Sequence, residues 1–252
     1  MIKINNFFTN PNVKIIAQKG NYYVMEYQRK YTNNVALATP LYFAYQMKIR
    51  EKQVGIELKN SSVILSSGAM QWTVGDVLAD TNVKGVGDLF GKAIKGSVTG
   101  ESAIKPIYRG AGWVFLEPTF NHILLEDVEE WAGGMVLQDG LFLAADGNVE
   151  HSVVRRTNLS SALAGGEGLF NLCLKGKGVA VLESPVPRED LIEVVLENDT
   201  LKVDGNFAVA WSNSLDFTVE RSGKSLIGSA AGGEGLVNVY RGTGKVLLIP
   251  VK

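Results

Sequence analysis

The chain has 252 residues, 46% hydrophobic and 20% charged, which excludes a disordered polymer and leaves room for one large domain or two ordinary ones. Its 25 Lys plus Arg against 26 Asp plus Glu leave a net charge of −1, with no general pull toward nucleic acid or an anionic membrane. A single cysteine, Cys173, excludes an internal disulfide and a Cys-rich zinc site.

Residues 1–54 read as an N-terminal extension packed on the rest of the chain. Met1–Asn6 lacks the basic start and long apolar stretch of a signal peptide, so a cytoplasmic protein is expected. No apolar run approaches the ~18 residues a bilayer span needs, so membrane insertion is not expected. The uncharged stretch Tyr31–Met47 contains Asn33, Asn34 and Pro40, which are poor membrane residues. Residues 1–60 hold 9 basic and 3 acidic side chains, interleaved with aromatics such as Phe7, Phe8, Tyr22 and Tyr23. Such a mixture can bind single-stranded nucleic acid by phosphate contact and stacking. Because the whole chain is slightly acidic, the simpler reading is that these aromatics pack on the body, and nucleic acid is not the expected partner. A helix signal at Leu41–Lys52 follows, and another at Val86–Lys95.

Beyond residue 54 the runs are short, β-branched or aromatic, and punctuated by glycine, which predicts strands. Trp113–Leu116 and Val246–Ile249 are continuous apolar runs, as in strands covered on both faces. Phe217–Glu220 alternates, as a half-exposed strand does. Asp139-Gly140 and Asp204-Gly205, each between apolar runs, predict hairpin turns. Three sequons, at Asn60, Asn158 and Asn198, are read as chance matches, since secretion is not expected.

One local pattern occurs three times. Gly100-Glu101, Gly166-Glu167 and Gly233-Glu234 open it, and the glutamates recur after 66 and 67 residues. Arg109, Lys175 and Arg241 each precede a Gly-x-Gly, at intervals of 66 and 66. The reading is mainly all-β: three tandem units, at 55–120, 121–187 and 188–252, with a few short helices. A unit of that size is marginal alone, so the copies are expected to share cores or sheets.

The Gly-Gly-Glu-Gly-Leu-Phe block at Gly165–Phe170 with its third-unit copy, Ala210-Trp211, and Ser67-Gly68-Ala69-Met70 resemble the altered-inheritance-of-mitochondria (member twenty-four) family. The resemblance covers about residues 54–252. It implies units similar to the tryptophan RNA-binding attenuation protein subunit, a short double-stranded β-helix. It further implies a homotrimer with pseudo-ninefold ring geometry, and it supplies no catalytic residues.

Few residues suggest chemistry. His122 and His151 stand alone, without helical His-x-x-x-His spacing. Gly85–Ala93 misses the phosphate-loop spacing and its hydroxyl. Glu126, Asp127, Glu129 and Glu130 form a surface acidic run rather than two carboxylates across a cleft. No enzyme activity, cofactor or metal is expected. The expected role is an assembly or scaffold protein. The alternative is a binding module for a small ligand or single-stranded nucleic acid, at the unit interfaces or on a basic rim built from Arg109, Lys175 and Arg241.

Overall fold

Short runs of β-formers between glycine turns fold into two antiparallel sheets of eight and seven strands and a single α-helix, among the residues that the computed structural model describes, 2–29, 32–80, 105–155, 170–221 and 236–250. The chain opens with β1 (Val13–Lys19), β2 (Tyr22–Tyr27), α1 (Val35–Gln46), β3 (Lys52–Leu65), β4 (Met70–Asp80) and β5 (Ile107–Leu116). The middle holds β6 (His122–Asp127), β7 (Met135–Leu137), β8 (Phe142–Asp146), β9 (Glu150–Arg155), β10 (Phe170–Lys175) and β11 (Val179–Ser184). The last part holds β12 (Ile192–Asp204), β13 (Ala208–Ser212), β14 (Asp216–Arg221) and β15 (Leu236–Leu248). The mainly all-β expectation holds.

The first sheet is organised around β3, which pairs β2 through its first residues, β5 along most of its length and β8 through its last. In the second sheet β15 has β12 on one side and β13 with β14 on the other. The middle strands divide between the sheets: β6, β8 and β11 belong to the first, and β7, β9 and β10 to the second. Their side chains, including Leu124, Met135, Leu137, Phe142, Leu174 and Leu182, form a core fed from both sheets.

The Gly-x-Gly stretches are backbone corners. Gly110 and Gly242 have φ of +132° and +116°. A Cβ on Gly110 would lie 2.0 Å from the Asp76 carbonyl oxygen, so the close strand approach demands glycine. On the facing strands the register breaks beside Asn60 in β3 and Asn198 in β12, whose φ values are +52° and +54°. Asparagine tolerates this left-handed conformation better than most residues. The asparagines of two of the three sequons therefore have a backbone role; Asn158 lies outside the described residues.

Three expectations need correction or placing. The predicted helix at Leu41–Lys52 is displaced: α1 runs from Val35 to Gln46, because Asn34 Oδ1 caps the Ala36 amide at 3.0 Å and Lys52 already belongs to β3. Asp139-Gly140 and Asp204-Gly205 do make turns, but not hairpins. β7 and β8 lie in different sheets, and β12 and β13 lie on opposite sides of β15. A tight turn reverses the chain, whereas the ladders that satisfy most backbone groups decide each strand's partner. The helix expected at Val86–Lys95 and the Gly-Glu blocks at 100–104, 165–169 and 232–235 lie outside the described residues.

Two junctions within the chain share one register. At the first, Val63, Ile64 and Leu65 of β3 face Asp146, Ala145 and Ala144 of β8, and the Ser66 amide donates to the Leu143 carbonyl at 2.8 Å. At the second, Met135, Val136 and Leu137 of β7 face Ser212, Trp211 and Ala210 of β13, and the Gln138 amide donates to Val209 at 2.9 Å.

The N-terminal residues join the first sheet through β2, and Phe7 and Phe8 lie on an aromatic cluster. Phe7 meets Phe115 at 5.0 Å and Trp72 at 6.0 Å, and Phe8 meets Trp113 at 4.9 Å. Beneath them Trp72 stacks on Phe115 at 3.9 Å. Lys19 pairs with Asp127 at 2.6 Å, and the buried Tyr22 hydroxyl donates to Asp146 at 2.7 Å. Extension and middle strands are thereby tied together, and burial beside the Asp146 carboxylate pushes the Tyr22 pKa well up.

Candidate functional site

Each of the three basic residues sits one position before its glycine corner, on β5, β10 and β15. Arg109 faces Ser62 on β3 and Leu78 on β4, and its Nη2 lies 3.3 Å from Asp80 Oδ2. Arg241 clamps Glu220 through two hydrogen bonds of 2.7 and 2.9 Å, and its Nη1 also donates to Thr218 Oγ1 at 3.1 Å. These bonds hold the Glu220 carboxyl at about 2. Lys175 stands opposite Glu150 in the β9–β10 ladder. β5 belongs to the first sheet while β10 and β15 belong to the second, so the three do not share one sheet. Each stands near a carboxylate residue, which lowers the positive potential that a phosphate backbone would meet.

The histidines are tuned toward neutrality. His151 packs edge-on against Phe142 at 5.0 Å, and among the described residues neither of its nitrogens has a hydrogen-bond partner. Burial, helped by the Lys105 charge, pushes its pKa down to about 4. Burial and Lys52 also lower His122. Among the described residues no three His, Cys, Asp or Glu gather as a metal site.

The acidic run has structural partners. Glu126, buried, accepts from Arg188 Nε at 2.8 Å; Asp127 takes Lys19; Glu129 lies 3.6 Å from Lys177. Cys173 is fully buried in β10, and burial raises its pKa, so its thiol is not poised as a nucleophile.

Sequence reasoning missed a cavity of about 430 Å3 beside the β3–β8 junction. Ser66, Ala69, Glu117, Phe142, Leu143 and Glu183 line it. Glu117 follows the end of β5 and Glu183 lies near the end of β11, and their amides donate to the Ala69 and Leu141 carbonyls at 2.8 and 2.7 Å. The signal lay in the 66-residue interval between Glu117 and Glu183, which nothing in the local sequence marks as a cavity wall. Carboxylates, hydroxyls and one aromatic ring suit a small cationic molecule better than an anion.

The family model described as mitochondrial biogenesis AIM24 matches residues 45–251. The chain belongs to the AIM24 family. An uncharacterised protein of Streptococcus pyogenes serotype M6 is 30% identical over 204 residues, covering 77% of this chain and 79% of the relative. A crystal structure of a Streptococcus pyogenes protein matches with a TM-score of 0.59 and 28% identity, over 82% of this chain and 90% of that one. The AIM24 match begins in the last turn of α1, so β1, β2 and most of α1 precede it.

Proposed function

We propose that this AIM24 protein is a non-enzymatic, ring-forming scaffold: three copies of one β unit per chain, closing as a homotrimer. What carries the reading is the shared register of the two internal junctions. In each, the residues just before a unit's turn pair with the strand that follows the next unit's turn. The register break within that following strand, between Met70 and Trp72, beside Phe142 and Ala144, and between Ala208 and Ala210, supports equating the three.

Carried one step further, the rule leaves a third donor edge on β12 and a first acceptor edge on β4. Among the described residues β12 pairs with β15 and β4 with β5, and each has its other edge open. In the same register Leu201, Lys202 and Val203 would face Val74, Thr73 and Trp72 of a second copy. Head-to-tail pairing of this kind must close into a ring or run on as a filament. Closure at three chains is what the likeness to the attenuation-protein subunit implies.

Native mass spectrometry of the intact chain tests this directly, with a mass of three times 27.3 kDa expected. Thr73→Pro and Lys202→Pro each remove an outward-facing amide from one open edge, so each variant should run as a monomer. A monomeric wild type, or proline variants that stay trimeric, would sink the ring.

The cavity between Glu117 and Glu183 favours one alternative, a small-ligand module at the unit junctions. A purified protein that retained a small cationic molecule, released on Glu117→Gln substitution, would favour it.

A further inference from the structure

Helix α1 presents a conflict between sequence and exposure. None of its twelve residues carries a charge, and none is buried. A helix apolar on most sides is ordinarily a core helix. Here Val35 is 86% exposed, Tyr42 61% and Phe43 59%, and Met47, just past the helix, is 71% exposed. Leu41, Ala44 and Tyr45, spaced i, i+3 and i+4, are half-buried and mark the side that leans on the protein. The helix is capped at both ends and accommodates Pro40 in its interior. Asn34 caps its start, the Met47 amide donates to Phe43 at 2.9 Å, and the Ile49 amide donates to Ala44 at 2.8 Å. An ordered apolar helix held in water calls for a surface that removes it from water.

We propose that α1 docks the protein on an anionic lipid bilayer, entering the headgroup–acyl boundary of one leaflet. The length fits shallow entry: twelve residues rise about 18 Å, against a hydrocarbon core of about 30 Å. The outward side carries Val35, Tyr42 and Phe43, and phenolic and aromatic rings suit that boundary. A partner groove reads one apolar seam at i, i+4, i+7 and i+11; here the series from Ala36 (Pro40, Phe43, Met47) is apolar and that from Val35 (Thr39, Tyr42, Gln46) half polar, so the choice of a leaflet over a groove rests on the flanking charge.

Charge points the same way. Residues 1–60 hold 9 bases and 3 acids. Glu26 is already engaged by Arg50 at 3.3 Å and Glu57 by Lys59 at 2.9 Å. Arg29 and Lys30 precede the helix in sequence and Lys48 follows it, with Arg29 and Lys48 exposed. Cations therefore bracket an uncharged apolar helix at both ends, the arrangement that an anionic leaflet attracts. The proposal uses neither open strand edge, so it stands or falls apart from the ring.

The test is flotation of the full chain with phosphatidylcholine vesicles made with or without phosphatidylglycerol. The wild type should float with the anionic vesicles and be released by salt, and Tyr42→Asp/Phe43→Asp should lower the bound fraction at least about tenfold. Both positions are exposed, so an unchanged far-ultraviolet spectrum should confirm folding. As a second readout, Phe43→Cys carrying an environment-sensitive fluorophore should brighten with anionic vesicles and dim when acyl-chain quenchers are included. A wild type that stays unbound, or a double aspartate variant that binds equally, overturns the proposal. So does lipid-free self-association that the same variant abolishes, because a second copy would then cover the helix.

Discussion

Asn60 and Asn198 occupy a backbone region that a β-branched residue enters at a cost of about 1–2 kcal/mol. Asn60→Val should lower the urea-unfolding free energy by about that amount, while Asn60→Gly should change it by only a few tenths. Asn198→Val should behave alike, which would identify the two corners as one structural device used twice. His151 makes a pH prediction at the same scale. Its folded pKa of about 4 lies below the ordinary 6.5, so between those values the unfolded chain takes up a proton that the folded chain refuses. Stability due to this residue is therefore present above about pH 6.5 and is lost as pH falls toward 4. His151→Leu should flatten that part of the stability–pH profile, measured by chemical denaturation at several pH values against the wild type.

Among elements, the glycine corners separate dihedral cost from steric cost. Gly140 has φ of +83° and open space where a Cβ would go, so Gly140→Ala should cost only about 1 kcal/mol. Gly110→Ala meets both a φ of +132° and the Asp76 carbonyl, so the melting temperature should fall several times further. The Gly-x-Gly corners, Gly110 among them, were legible in sequence because the motif recurs at a constant interval, and the all-β class was legible from short β-branched runs. The hairpins at Asp139-Gly140 and Asp204-Gly205 were misread because partner choice is a long-range property that no turn residue encodes. The helix was displaced because its N-cap, Asn34, lay inside a stretch read for its lack of charge rather than for capping. Of the candidate site, the positions of Arg109, Lys175 and Arg241 before the corners were visible. Their acidic neighbours Asp80, Glu150 and Glu220 were not, since each lies 21 to 29 residues away and meets its base across a ladder.

For the whole molecule, the charge imbalance of the N-terminal residues is partly used internally, in Lys19–Asp127 and Arg50–Glu26. Arg29 and Lys48, which flank α1 in sequence, stay exposed on a chain whose overall charge is close to zero. The division of the middle strands has its own consequence. Because β6, β8 and β11 complete one sheet while β7, β9 and β10 complete the other, no cut in the backbone separates the chain into two parts that each keep a finished sheet. Heat should therefore find no partial melting step to exploit. Scanning calorimetry of a non-associating variant should give a single endotherm whose calorimetric and van't Hoff enthalpies agree. A polypeptide ending near residue 120, which loses β6, β8 and β11 from the first sheet, or one beginning near 188, which loses β7, β9 and β10 from the second, should fail to fold alone.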